Sequence, residues 1–413
     1  TLRANNYICH YSVFKKELLN KIGGFSSNFD GAQDFDIILR ATEKAKKIVH
    51  IPKVLYHWRI HKDSTAMSSE AKPYAILAGQ RAVEEHLKRV GLNGNVFEGA
   101  HPGTYAIDYE INGNPKITIL IPNKDEKETL KDCVNSILSK STYKNYEIVI
   151  IENNSEKEDI FEFYKELVKN SKIKVLNYNK DTLLDSKGEK ILNNKDLDTR
   201  VGFNYSKIIN FGVKNTESDY IIQLNNDTEI ITENWIERML GFCQREDVGA
   251  VGAKLYYPDG TIQHAGIIVG ARTVAAHVFR GLSKDDQGYF GRENLIQNMN
   301  AVTAACIMTK RSIYEEVGYM NEDFAVAFND IDFCLKIRHT GKLIVYNPFV
   351  ELWHYESKSR GDDNAPDKLE RFQKEINLFL ETWKDKLSQG DEYYNKNLSL
   401  ESDQYDVRTD KII

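Results

Sequence analysis

Cysteine is scarce in this chain and never clustered. The five residues, Cys9, Cys133, Cys243, Cys306 and Cys334, are scattered without a single C-x-x-C pair. That pattern excludes a disulfide framework and a thiolate zinc site, and it points to a reducing, cytosolic compartment. Long hydrophobic runs are missing too: no apolar stretch approaches the ~18 residues that a bilayer span requires. No secretory leader is legible, and the chain opens at Thr1 rather than Met, so the expectation is a piece of a longer protein. A basic surplus is also absent. Lys and Arg number 55 against 61 Asp and Glu, a formal charge of −6, so no nucleic-acid partner is expected.

What is present is ample apolar material, 41% of 413 residues, enough for real cores in two or three domains. Residues 116–122 are a near-continuous apolar run, as a central parallel strand requires. A helix follows with Leu130, Cys133, Val134 and Ile137 on one face, then strands at 146–151 and 173–178 separated by a helix near 157–169. A further helix, about 204–215, leads into a strand that begins at Tyr220. Strand–helix alternation of this kind predicts an α/β, Rossmann-like doubly wound sheet with helices on both faces. The polar stretch 179–202 reads as a loop insertion. Beyond it, 248–257 and 261–269 flank Pro258-Asp259-Gly260 as a hairpin. A strand is expected over 300–309, a helix carrying Asp330 and Asp332 after it, then strands at 343–346 and 350–355. The tail 366–388 reads as an amphipathic packing helix.

An internal repeat organises the rest. Gly23-Gly24-Phe25 followed by Ala32-Gln33-Asp34-Phe35-Asp36 parallels Val317-Gly318-Tyr319 followed by Phe328-Asn329-Asp330-Ile331-Asp332. His57 follows Asp36 by 21 residues and His354 follows Asp332 by 22, each beside a Trp. The expected organisation is therefore a partial first copy at 1–90, a connector at 91–115, a complete domain at 116–388 and a tail at 389–413.

The chemistry concentrates at Tyr220–Thr228. A buried-type strand there runs into Asn225-Asn226-Asp227 and sets one acid at the carboxyl edge of the sheet, where open α/β sheets take ligands. One hard oxygen ligand suits Mg²⁺ or Mn²⁺ shared with a substrate's phosphates. An ordinary polar turn, with Asp227 or Thr228 capping a helix, explains the same residues. No G-x-G-x-x-G follows the first strand, where Asn123-Lys124-Asp125 stand instead, so a dinucleotide oxidoreductase is set aside.

With these residues in order, the chain resembles the family 2 glycosyltransferases of GT-A fold. It is most similar to tandem-domain enzymes of surface polysaccharide, O-antigen and rhamnan assembly. The family's opening strand ends here in Ile121-Pro122-Asn123-Lys124-Asp125, its second-strand acidic signature is Glu152-Asn153-Asn154-Ser155, and its Asp-x-Asp motif is Asn225-Asn226-Asp227. Its Glu-Asp helix motif is Asn329-Asp330 and its late histidine is His354. The resemblance implies an inverting, metal-dependent transfer from a UDP- or dTDP-linked sugar to a glycan or lipid-linked acceptor, at the cytoplasmic face of the membrane. It implies Asp227 and His354 as ligands of Mn²⁺ or Mg²⁺ and Asp330 as general base. Donor contacts are implied for Pro122, Asn123, Asp125, Glu152, Asn153, Asn210, Asn225 and Asn226, with Thr303-Ala304-Ala305 as a wall beside the donor sugar. Asp332 is expected to support structure with Arg338, and His264 and His277 to be structural. In the first copy Asp34 matches the base and His57 the ligand, catalytically silent without a donor half. Asn225 and Asn329 replace usual acids, which keeps a degenerate, non-catalytic glycan-binding or assembly module as the alternative.

Overall fold

A computed structural model describes residues 1–53, 55–57, 73–178, 183–184, 203–356 and 366–409. At the N-terminal end α1 (Lys16–Ile22), α2 (Gln33–Lys44) and α3 (Pro73–Arg89) pack together. The hairpin β1 (Gly94–Glu98) and β2 (Tyr105–Tyr109) joins them to the main body. There the apolar runs become one sheet. β3 (Ile117–Asn123), β4 (Tyr146–Glu152) and β5 (Ile173–Asn177) are parallel neighbours, connected by α4 (Lys127–Lys140) and α5 (Glu158–Leu167). They are buried almost throughout because both faces of a parallel sheet are covered. The short β6 (Leu183–Leu184) edges β5. α6 (Tyr205–Lys214) then returns the chain to the other side of β3, where β7 (Tyr220–Leu224) lies parallel to it. This reversal of strand order opens a crevice outside the carboxyl ends of β3 and β7.

The second half makes the sheet mixed. β8 (Thr228–Ile230), α7 (Trp235–Cys243) and β9 (Val248–Tyr256) are followed by β10 (Ile262–His264), β11 (Ile267–Val269) and β12 (Ala275–His277). Next come β13 (Gln297–Met299), β14 (Cys306–Lys310), α8 (Arg311–Glu316), α9 (Asn329–His339) and β15 (Leu343–His354). The main path runs β13-β15-β9-β14-β7-β3-β4-β5-β6, with β10 on β9 and β8 on β15.

Several expected boundaries change for physical reasons. The hairpin after Tyr257 is short, since only β10 pairs with β9. At Gly266 (φ +106°) the chain turns away, and β11 pairs with β12 instead. A side chain at Gly266 would be strained by its positive φ, and the Met299 methyl, 2.5 Å from where a Cβ would stand, would have to shift. Of 300–309 only the end is strand, and 300–305 is a buried strap. The two strands expected at 343–346 and 350–355 are one, β15, continuous through Pro348 with a register shift between Asn347 and Glu351. The tail helix divides into α10 (Pro366–Thr382) and α11 (Lys384–Gln389) at Trp383. The indole of Trp383 donates to Asp332 Oδ1 at 2.9 Å, so Trp383, not Arg338, supports Asp332. Arg338 bonds Lys342 O and Glu392 instead.

The two stretches of the expected repeat share a local turn but not a strand. Gly23 and Gly24 (φ +85° and +69°) make the same left-handed turn as Gly318 and Tyr319 (+71° and +63°). Arg40 donates to Gly24 O from α2, as Lys336 donates to Tyr319 O from α9. The strand is where the likeness ends. Ile344 and Val345 in β15 are 0% and 3% exposed, but Ile48 and Val49 stand outside any strand at 64% and 68%. β15 draws its ladder from β8, β9 and β13. Among the described residues of 1–90 no such partners exist, and a strand without partners leaves its amides unpaired. Trp58 and most of the expected insertion at 179–202 lie outside the described residues.

Candidate active site

The crevice is built from strand ends. β3 and β7 deliver Asn123 and Asn225–Asp227 to adjacent positions, and Asn226 Nδ2 donates to Asn123 Oδ1 across the reversal at 2.7 Å. β8 pairs with the end of β15, placing His354 opposite Thr228, and Tyr355 N–H bonds Asp227 O at 2.8 Å. That register brings His354 Nε2 to 3.2 Å from Asp227 Oδ1 and 3.3 Å from Asn225 Nδ2. Both Asp227 and His354 are buried. Asp227 Oδ1 and His354 Nδ1 are enclosed without a hydrogen-bond partner among the described residues.

Buried polar atoms normally find partners, so an enclosed carboxylate oxygen facing an imidazole nitrogen is a place for a ligand. Carboxylate oxygen, imidazole nitrogen and, with its amide turned, the Asn225 oxygen form a donor set suited to Mn²⁺ or Mg²⁺. Among the described residues no group of three or more His, Cys, Asp or Glu gathers anywhere. The set fits an ion whose remaining ligands come from substrate phosphate.

A second network lies at the ends of β3 and β4. Glu152 accepts from Ser155 N–H, the Ser155 hydroxyl and the Tyr164 hydroxyl at 2.6 Å. Asn123 Nδ2 donates to the Tyr164 oxygen at 2.8 Å. Burial, reinforced by the Glu152 charge, pushes the Tyr164 phenol far up, so it stays a donor. Asn153 is held by its own N–H on Asn123 O, and its Oδ1 is buried with no partner among the described residues. Asn154 and Asp125 adopt left-handed backbone (φ +60° and +57°), which Asn and Asp accept more readily than other non-glycine residues. Asp125 Oδ1 accepts the Glu156 and Lys157 amides at the entry to α5, and Pro122 is half-buried in β3.

The strap 303–305 joins these groups to α9. Ala305 O accepts from Asn225 N–H, Ala304 O lies 3.4 Å from the Tyr205 hydroxyl, and Ala304 N–H donates to Asp330 Oδ2 at 3.2 Å. Asp330 Oδ1 accepts Ile331 N–H at 2.8 Å, and the half-buried carboxylate keeps lone pairs free. Phe328 precedes it in left-handed backbone (φ +60°), and Asn329 is spent locally on Val326 O. The loop is fixed from behind by the buried Glu375 of α10, which accepts the Val326 and Ala327 amides.

Asn210 is a correction. Its amide donates to Met320 O and Glu322 Oε1 and accepts from Met320 N–H, all at 3.0 Å, so it anchors a loop and has nothing left for a nucleotide. Tyr164, Tyr205 and Glu375 escaped the sequence reading. Tyr164 alone had a signal, one hydroxyl on the inner face of the helix after Glu152. The buried thiols carry no chemistry: burial pushes Cys133, beside Thr228, up to about 12.

A mixed, doubly wound sheet with its polar groups gathered at the strand reversal defines an α/β fold that takes a ligand at that crevice. The particular family is shown by residues 115–370, which match the description "Glycosyltransferase like family 2", and the chain belongs to that family, with the GT-A fold. It is 40% identical over 405 residues to the uncharacterized protein y4gI of Sinorhizobium fredii, covering 97% of this chain and 42% of that protein. It is 32% identical over 401 residues to the O-antigen biosynthesis protein RfbC of Myxococcus xanthus, covering 97% and 29%. The chain thus spans less than half the length of these curated relatives. Among solved structures it is similar to GalNAc-T7 with UDP, GalNAc and Mn²⁺, at TM-score 0.49 and 15% identity over 69% of this chain and 51% of that one.

Proposed function

We propose that residues 116–388 are an inverting, metal-dependent glycosyltransferase. The donor is a UDP- or dTDP-linked sugar, and the acceptor is a glycan or lipid-linked hydroxyl in cell-surface polysaccharide synthesis. One observation carries this reading: Asp227, His354 and Asn225 converge at the strand reversal, with enclosed atoms that lack partners. The printed role of the Myxococcus xanthus relative in O-antigen biosynthesis supports the product class. Asp227 and His354 would hold Mn²⁺ or Mg²⁺, with Asn225 completing the protein's share. When bound, the ion supplies Lewis-acid neutralisation of the departing diphosphate.

The chain's own groups account for the rest. The unpartnered Asn153 Oδ1 receives the ring N–H of a uracil or thymine, while Glu152 is held in place by Ser155 and Tyr164. Asp330 takes the acceptor's hydroxyl proton as that oxygen bonds to the anomeric carbon. The bond from that carbon to the phosphate oxygen breaks on the opposite face, and the nucleoside diphosphate leaves. One base and no paired nucleophile is the arrangement of a single, inverting displacement. The proposed place of work is the cytoplasm, peripheral to the inner membrane face, which cell fractionation tests. No helix among the described residues is long and apolar enough to cross a membrane.

The test is calorimetric titration of UDP and dTDP sugars with and without Mn²⁺. Metal-dependent binding is expected. Binding to none of them favours the second reading, a non-catalytic glycan-binding or assembly module, which Asn225 and Asn329 in usually acidic positions motivate.

In the same reading, residues 1–90 are the acceptor-side end of a preceding GT-A domain and do no chemistry by themselves. Asp34→Asn and His57→Ala should leave turnover at the parent level. A loss of tenfold or more, by the usual scale for catalytic groups, would remove the silent assignment.

A further inference from the structure

One hydrogen-bond path joins the two ends of the crevice, and Tyr164 of α5 stands in the middle of it. Asn226 Nδ2 donates to Asn123 Oδ1 at 2.7 Å, and Asn123 Nδ2 donates to the Tyr164 oxygen at 2.8 Å. The Tyr164 hydroxyl donates to Glu152 Oε2 at 2.6 Å. Asn123, Glu152 and Tyr164 are all buried, so each lost partner is felt.

The direction of the path is fixed at its carboxylate end. Glu152 also takes the Ser155 N–H and the Ser155 hydroxyl, and a carboxylate only accepts. Burial, with the Glu152 charge adding to it, pushes the Tyr164 phenol far up, so it keeps its single proton and spends it on Glu152. Asn123 therefore meets the phenol oxygen with its NH₂ group, which turns its own oxygen toward Asn226. Asn226 in turn offers its NH₂ group and keeps its oxygen off β3. Flipping either amide would set two donors or two acceptors face to face.

Asn123 is the junction of both ends. Its carbonyl accepts the Asn153 N–H at 2.9 Å, beside the unpartnered Asn153 Oδ1. On the other side Asn226 adjoins Asp227, whose carboxylate lies 3.2 Å from His354. Asn225 N–H ties that turn to Ala305 and Asp227 O ties it to Tyr355, while the Asn226 side chain ties it to β3.

We propose that Tyr164 is a positioning residue of the donor site. Its one hydroxyl orients Asn123, and through Asn123 it holds the Asn226 amide that fastens the Asp227 turn to the base-reading end of β3. Asn123 and Glu152, which the resemblance places on the nucleotide, serve as the frame for their neighbours Asn226 and Asn153. This rests on the reading of the crevice as a metal-dependent nucleotide-sugar site.

The test is UDP affinity by calorimetry with and without Mn²⁺, for the parent, Tyr164→Phe, Asn226→Ala and the double variant. Tyr164→Phe keeps the ring and removes only the hydroxyl. The ratio of the two affinities isolates the metal end, because a loss confined to the base pocket divides out. In Tyr164→Phe that ratio should fall about threefold to tenfold, the worth of one hydrogen bond. Asn226→Ala should lower it as well, and the double variant should lie no lower than Asn226→Ala alone, since both changes cut one path. A Tyr164→Phe ratio equal to the parent's makes the hydroxyl a merely structural group and overturns the proposal, whatever happens to Tm. Losses that multiply in the double variant also overturn it. Asn226→Ala changes a half-buried turn residue, and an unchanged ratio there overturns the proposal even where Tyr164→Phe does not fold. A parent whose UDP binding ignores Mn²⁺ fails the underlying reading instead.

Discussion

Asp330→Asn should keep its donor affinity and lose about two to four powers of ten in turnover, the range for a removed general base. The substitution preserves size and planarity but removes the proton acceptor. The carboxylate is well placed for the task. Ala304 and Ile331 amides fix its two oxygens from the strap and from its own helix, while Glu375 holds the preceding backbone. Neither anchor reaches Asp227 or His354, so donor binding has no reason to change. An asparagine that turns its oxygen toward Ala304 N–H puts its NH₂ group against Ile331 N–H, so it gives up one of the two anchors along with the proton acceptor. Calorimetry for the donor and initial rates for transfer separate the two effects. Turnover at the parent level would take Asp330 out of its role.

Asp227→Ala should abolish most of the metal dependence of donor binding, lowering affinity with Mn²⁺ present by at least about tenfold to hundredfold. Asp227 is the only carboxylate in the cluster, and Asn225 and His354 are neutral donors, so the substitution removes all the protein's negative charge at the ion. It also leaves His354 Nε2 with Asn225 as its single neighbour of the pair. Affinity with and without Mn²⁺ is the measurement. Values matching the parent in both conditions would sink the ligand assignment. A uniform loss in both would mean that the Asp227 carboxylate holds the crevice together instead, through its contact with His354.

The strand ends were legible because a buried parallel strand writes itself as an uninterrupted apolar run, and its polar terminus marks the edge. Glu152, Asn153 and Asn225–Asp227 were placed at strand ends that way, and they do stand there. Asn210 was misplaced because a polar residue on the inner face of a helix looks the same whether it meets a ligand or a loop. Here Met320 and Glu322 consume it. The hairpin after Tyr257 was drawn too long because alternation does not reveal a turn that one glycine makes possible at φ +106°. His264 and His277 were read as structural because a lone histidine in a hairpin usually is, and their contact at 3.2 Å could not be seen from positions 13 apart.

Local pattern alone therefore determined that this chain builds a doubly wound sheet, where its central strands end, and that an acid and amides stand at those ends. These depend on periodicity and residue type, which are properties of short segments. Tertiary structure decided which of those residues meet. His354 reaches Asp227 only because β8 and β15 pair in one register, 127 positions apart in sequence. The strap at 303–305 links Asn225, Asp330 and His264 only because β14 enters the sheet between β7 and β9. The first copy of the repeat shows the same rule from the other side. Residues 48–53 and 55–57 carry part of the apolar pattern of β15 but stand outside any strand, because strand formation requires neighbours that supply the other half of every hydrogen bond.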